Sequence, residues 1–260
     1  MSGKGGVGKT TIAALLSIIF SKNNYKVLAL DTDSVPNLAQ SLGLPLEKAY
    51  SITPLAKNDE LAEERTGARP GEGWGVLFSL TPRVDDLVDK YGIRINNNLA
   101  LVVVGSIDVS KEGCLCPAIA LAKAFLAHVF IKRREIVIVD AEAGAEVFGR
   151  GLAEKFDLNL CVSEPTIKSL IISRKLVKLA DELGIKRNII VLNKVVDEIG
   201  AVQQYSRVFG ENSTPYHIVR YDEKLLKIEA MGRGVDSLPE DSILYRDVFS
   251  LYKKIMKILR

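Results

Sequence analysis

Five short, nearly unbroken apolar runs mark the chain: KVLALD (26–31), LALVVVG (99–105), EIVIVD (135–140), LNLCVSE (158–164) and NIIVLNK (188–194). Runs of this length, rich in β-branched residues and leucine, predict strands buried on both faces. Between them lie stretches with helical period near 10–23, 117–132, 168–183 and 222–231, and a last one near 241–259. Such alternation predicts parallel βαβ units, hence an α/β fold with a mostly parallel twisted sheet flanked by helices. No internal repeat or low-complexity linker appears, so residues 1–260 read as one domain. The least regular part is 44–98, with Pro45, Pro54, Pro70 and GARPGEGWG beside the helical-looking NDELAEERTG. It reads as an elaboration inserted between core strands, and loops of that length are usually functional or mobile.

Composition narrows the class only a little. Hydrophobic content of 47%, charged content of 26% and a net charge of +3 describe an ordinary globular chain. No Lys/Arg-rich run with interleaved aromatics occurs, which argues against nucleic acid as a partner. Three cysteines are too few for a disulfide scaffold and fit a reducing compartment. With neither an N-terminal apolar leader nor a run approaching the ~18 residues of a spanning helix, the expected location is cytoplasmic.

The strongest chemical signal is GKGGVGKTT (3–11), which fits G-x-x-x-x-G-K-[ST] from Gly3 to Thr10. Glycines let successive backbone N–H groups turn toward phosphate oxygens, and the following helix, expected to be amphipathic, points its positive end at the same place. Gly5, Gly6, Val7 and Gly8 would cradle the phosphates. Lys9 would reach the β- and γ-phosphates, Thr10 would hold Mg²⁺, and Thr11 would add a hydroxyl near the α-phosphate. Such a loop should follow a buried strand, yet only Met1 and Ser2 precede it. The expectation is a reading frame that starts earlier; the alternative is a sheet core filled another way.

Two further strands end in carboxylates. ALDTD places Asp31 and Asp33 at a C-terminal strand end, where open α/β sheets bind ligands. Their period-two spacing sends both side chains to one face of the chain; capping of the next turn is the plainer role. In IVIVDAEAG a second buried strand ends in Asp140, the expected magnesium-binding carboxylate.

With Lys4 inside the loop, K-G-G-V-G-K-T resembles the deviant Walker A motif of the family containing MinD, ParA, the arsenite-pump ATPases and the nitrogenase iron protein. The resemblance implies that Lys4 reaches across a homodimer to the partner's ATP. It also implies that Asp33 positions the attacking water with Asp31 nearer Mg²⁺, that Gly144 is the switch II glycine, and that Asn193 in VLNK recognises adenine. Lys194 simply flanks the site in this reading.

Within that family, AYSITPLAK (49–57), NLAQSLGL (37–44), VDDLVDKYG (84–92), AEAGAEVFGRG (141–151) and the pair Cys114 and Cys116 resemble CooC. Those ATPases serve nickel insertion into carbon monoxide dehydrogenase. Two thiols one residue apart are too few for a closed metal site and badly placed to bond each other. The resemblance implies that two chains bring four thiolates together around Ni²⁺ or Zn²⁺; otherwise the pair merely starts a helix. Asn37, in SVPN, departs from the CooC pattern, which carries another Pro-Asp pair there. Cys161, His128 and His217 are expected to be structural.

Two alternatives stand beside this one. The tail RDVFSLYKKIMKILR could lie at a membrane interface, as in a MinD-like cycling ATPase, although packing on the sheet is the expectation. Thiolates at a dimer seam could instead hold an iron–sulfur cluster, as in a scaffold or carrier ATPase.

Overall fold

The computed structural model describes residues 1–33, 35, 37–70, 79–106, 117–132, 135–141, 150–210 and 214–259. Cys114, Cys116 and Gly144 lie outside the described residues. The five apolar runs form β1 (Val27–Asp31), β3 (Leu99–Val103), β4 (Ile136–Asp140), β5 (Asn159–Ser163) and β6 (Asn188–Val195). β2 (Ile93–Asn96) and β7 (Tyr216–Arg220) complete the set of described strands. β2 pairs antiparallel with β3, while β3, β1 and β4 run parallel in the order β2-β3-β1-β4. β5, β6 and β7 form a second parallel group.

Both faces of these strands are covered, which is why their sequences do not alternate. Val27 and Ala29 of β1 pack with α1 (Lys9–Lys22) and α11 (Ile243–Leu259), while Leu28 and Leu30 pack with α6 (Pro117–Lys132). On the second group, Cys161, Ile190 and Leu192 pack with α8 (Ile167–Glu182) and α9 (Glu198–Phe209).

The expectation of an amphipathic first helix is corrected: every residue of α1 from Ile12 to Ser21 is buried. The reason is its position, with the sheet on one side and α11 and α2 (Asn37–Ser41) on others. α11 turns Leu244, Val248, Leu251 and Ile255 inward, while Lys254 donates to the Tyr216 carbonyl at 2.6 Å. Its apolar stripe is therefore packed against α1 and β7. No helix of the described residues is long and apolar enough to cross a membrane. The stretch 44–98 contains α3 (Leu46–Tyr50), a 3₁₀ turn at Leu55–Lys57, α4 (Asp59–Thr66), α5 (Leu87–Tyr91) and β2, and the short α7 (Arg150–Ala153) and α10 (Glu223–Ala230) follow later in the chain.

The two sheet groups meet at the start of the chain. The Met1 nitrogen donates to the Val139 carbonyl at 2.6 Å, Ser2 N to the Leu160 carbonyl at 2.9 Å, and Val162 N to the Ser2 carbonyl at 2.8 Å. Two residues thus stand between β4 and β5, and below them lies a cleft of about 200 Å³. Leu16, Phe20, Ile136, Ile138, Leu158 and Ile255 line it. The burial of β4 falls off toward this cleft: Val139 and Asp140 are buried, but Ile136, Val137 and Ile138 only partly.

Candidate nucleotide-binding site

The phosphate loop is assembled by the sheet beneath it. Gly3 has φ 140° and Gly8 φ 94°, conformations that side chains disfavour. A Cβ on Gly3 would collide with the Val162 carbonyl of β5, and one on Gly8 with the Asn193 side chain of β6. Gly5 and Gly6 instead face open space, as a phosphate cradle requires. Gly8 then passes the chain into α1, whose first N–H groups point back at the loop.

Lys9 is buried, and its Nζ donates to the carbonyls of Gly3 at 3.1 Å and Lys4 at 3.3 Å. The side chain of Lys4 is exposed on the outer rim. Thr10 and Thr11 are half-buried at the start of α1. A polar cavity of about 210 Å³ opens beside Thr10, lined also by Asn37, Gln40, Glu229 and Arg233.

Parallel register sets the two strand-end carboxylates side by side: Asp31 of β1 is the partner of Asp140 of β4. Asp31 is fully buried, and burial pushes its carboxyl up to about 7, with the Asp140 charge adding to the effect. Its Oδ1 accepts from Asp33 N and its Oδ2 from Leu38 N, each at 3.0 Å. Asp31 therefore ties the turn that leads into α2. Asp33 is half-buried in that turn, and its Oδ1 accepts from Val35 N at 3.3 Å.

Asp140 is differently placed. Burial raises its carboxyl pKa, opposed by a hydrogen bond from Thr10 and the charge of Lys9. Its Oδ1 is buried without a hydrogen-bond partner. An orphaned carboxylate oxygen next to a threonine hydroxyl suits a hard divalent cation. The residues present thus fit Mg²⁺, which Thr10 and Asp140 would hold. When bound, the ion would neutralise charge on the phosphate oxygens. Magnesium keeps waters and substrate phosphates as its other ligands. Among the described residues no cluster of three or more His, Cys, Asp or Glu could hold a metal.

Asn193 and Lys194 come from a bulge. The pairing of β6 with β7 shifts register between Leu192 and Val195, and Lys194 takes a left-handed backbone with φ 58°. Asn193 Nδ2 donates to the Val7 carbonyl at 2.8 Å, and Lys194 Nζ to the Gly6 carbonyl at 2.8 Å. Asn193 thus touches the loop directly. Lys194 does more than flank the site, and with it comes Glu164, whose Oε1 accepts from Lys194 Nζ at 2.9 Å. Sequence reasoning missed Glu164, and no local motif announces it.

Comparison with known proteins fits this geometry. The CobQ/CobB/MinD/ParA nucleotide binding domain family matches residues 1–235. The chain belongs to the MinD/ParA family of ATPases. An uncharacterized ATP-binding protein of Methanocaldococcus jannaschii is 41% identical over 258 residues, covering 99% of this chain and 97% of that protein. The carbon monoxide dehydrogenase accessory protein CooC of Rhodospirillum rubrum is 39% identical over 199 residues, 76% of this chain and 74% of that protein. Among solved structures, MinD of Pyrococcus horikoshii with Mg-ADP superposes with a TM-score of 0.67 at 19% identity, covering 100% of this chain and 95% of that one. A ParA family ATPase from Chlorobium tepidum gives 0.69 at 21% identity, covering 97% and 95%. These last two speak for the fold of the MinD/ParA family. The fold class expected from the apolar runs and the ATPase activity expected from GKGGVGKTT both hold.

Proposed function

We propose that this MinD/ParA-type ATPase is a cytoplasmic metallochaperone of the CooC kind, delivering nickel to a carbon monoxide dehydrogenase. The observation that carries the reading is the 39% identity to CooC over three quarters of both chains, taken with Cys114 and Cys116. In this reading two chains close around ATP and Mg²⁺, with the exposed Lys4 of each reaching its partner's phosphates. Asp33 positions the attacking water, Asn193 reads the adenine, and Gly144 senses the γ-phosphate. Closure brings two Cys-x-Cys pairs into one four-thiolate site for Ni²⁺ or Zn²⁺. ATP favours the closed dimer because it contacts both subunits only there.

A second reading has an observation of its own. Iron–sulfur cluster carrier proteins of Pyrococcus horikoshii and Pyrococcus abyssi are 46% identical over 52 residues, only 20% of this chain. Membrane cycling has less support, since the apolar stripe of α11 is already buried.

The test is titration of the reduced protein with Ni²⁺ and with Zn²⁺, following mass by light scattering, with and without nucleotide. The expected result is one metal per two chains, lost in a Cys114→Ser/Cys116→Ser variant that still hydrolyses ATP. Binding that survives in the variant would sink the shared site. A brown protein with broad visible absorption would decide for the cluster instead.

A further inference from the structure

Glycine-rich loops bind phosphate well only if something else fixes their shape, because glycine loses the most freedom on ordering. Here Gly5 and Gly6 touch nothing on the side a Cβ would occupy, so packing does not hold them. Carbonyl anchors do. Lys9 holds the carbonyls of Gly3 and Lys4, Asn193 that of Val7, and Lys194 that of Gly6. The last two anchors are consecutive residues, which on a regular strand would point to opposite faces. Both reach the loop because β6 is bulged between Leu192 and Val195, with Lys194 left-handed at φ 58°. A lysine in that conformation is unfavourable where glycine is at ease, so the side chain must supply something that glycine lacks.

We propose that Lys194 is a positioning residue for ATP: its ammonium, oriented by Glu164, holds the Gly6 carbonyl outward so that the loop N–H groups face the phosphates before nucleotide arrives. Lys194 donates to Glu164 Oε1 at 2.9 Å and to the Gly6 carbonyl at 2.8 Å, so one ammonium joins the end of β5 to the loop. Lys194 is exposed, and the two side chains are 43% and 38% open to solvent, so the pair is accessible and is held by two directed bonds. The inference rests on GKGGVGKTT being the nucleotide site and is independent of any metal function.

The backbone supplies a sharp test. In a Lys194→Gly variant the left-handed conformation becomes easy while the ammonium is lost. The melting temperature should hold or rise, KM for ATP should rise about 10-fold, the scale of a hydrogen bond to a charged group, and kcat should change by less than about threefold. Lys194→Arg should recover most of the affinity, and Glu164→Gln should give an intermediate KM. A Lys194→Gly protein with wild-type KM would overturn the proposal. So would a variant whose melting temperature and kcat fall together with no selective change in KM, which is the signature of a merely structural lysine. A Lys9→Ala protein, measured in parallel, separates failure of the anchor from failure of the nucleotide site itself.

Discussion

Lys9→Ala is expected to lower the rate of ATP hydrolysis by about 10²–10³-fold, the scale for removing one pre-placed donor from developing negative charge. The Lys9 ammonium already lies across the loop, 3.1 Å from the Gly3 carbonyl and 3.3 Å from that of Lys4. It sits 8% exposed at the mouth of a cradle whose other donors are backbone N–H groups. Phosphoryl transfer depends almost wholly on positioning and charge stabilisation, and the other ammonium bonded to the loop, that of Lys194, is engaged by the Gly6 carbonyl and Glu164. Lys4 is exposed on the rim, and its carbonyl is one of the groups Lys9 holds. The side chain removed belongs to the site and not to the apolar core, so the fold should survive. Phosphate release under saturating ATP, with a thermal melt as control, checks both halves. Hydrolysis at the wild-type rate would end the assignment of this loop as the catalytic cradle.

The sequence made much of this legible, and the reasons are local. Strands β1, β3, β4, β5 and β6 could be seen because each is covered on both faces and so reads as an unbroken apolar run. β2 is an antiparallel edge with the burial pattern half-buried, exposed, half-buried, exposed, and IRIN carries no such signal. β7 (YHIVR) is buried only at Val219. Helix α9 carries little signal either, since EIGAVQQYSRVF turns only Ala201, Tyr205 and Val208 fully inward. The phosphate loop could be read because its chemistry is written in consecutive residues. What could not be read are the supports that arrive from elsewhere. Glu164 lies 30 positions from Lys194, and the bulge that aims Asn193 and Lys194 together is a property of pairing with β7. Likewise the pairing of Asp31 with Asp140 is a matter of parallel register between strands more than a hundred residues apart.

That register has a consequence for stability. Asp140→Asn is expected to stabilise the nucleotide-free protein while lowering magnesium-dependent hydrolysis by 100-fold or more, on the order of the loss from one catalytic charge contact. Burial raises the Asp140 pKa, and its Oδ1 has no hydrogen-bond partner. In the absence of a cation the folded chain therefore carries a buried charge that the unfolded chain would hydrate. Asp31 acts in the same direction, with its carboxyl pushed up to about 7. A raised carboxyl pKa means that the folded state binds its proton more tightly than the unfolded state does. The resulting stability is fully present below the unfolded value near pH 4 and is lost as pH rises toward about 7. For Asp31 this amounts to at most about 4 kcal/mol. These two carboxylates should thus lower the melting temperature of the nucleotide-free wild type across that window, against an opposite contribution from His217, whose imidazole pKa is held below its usual value by burial. In Asp140→Asn the slope should be shallower, so that the variant melts above wild type at about pH 8 and approaches it near pH 4. Adding ATP and magnesium should reverse the order, because the ionised Asp140 then gains a partner that asparagine cannot match. Melting curves at several pH values, with and without magnesium and nucleotide, read out both effects. A variant less stable than wild type at pH 8 without ligand, or one still stabilised by magnesium and ATP to the wild-type extent, would show that Asp140 is a structural carboxylate and not the cation's ligand.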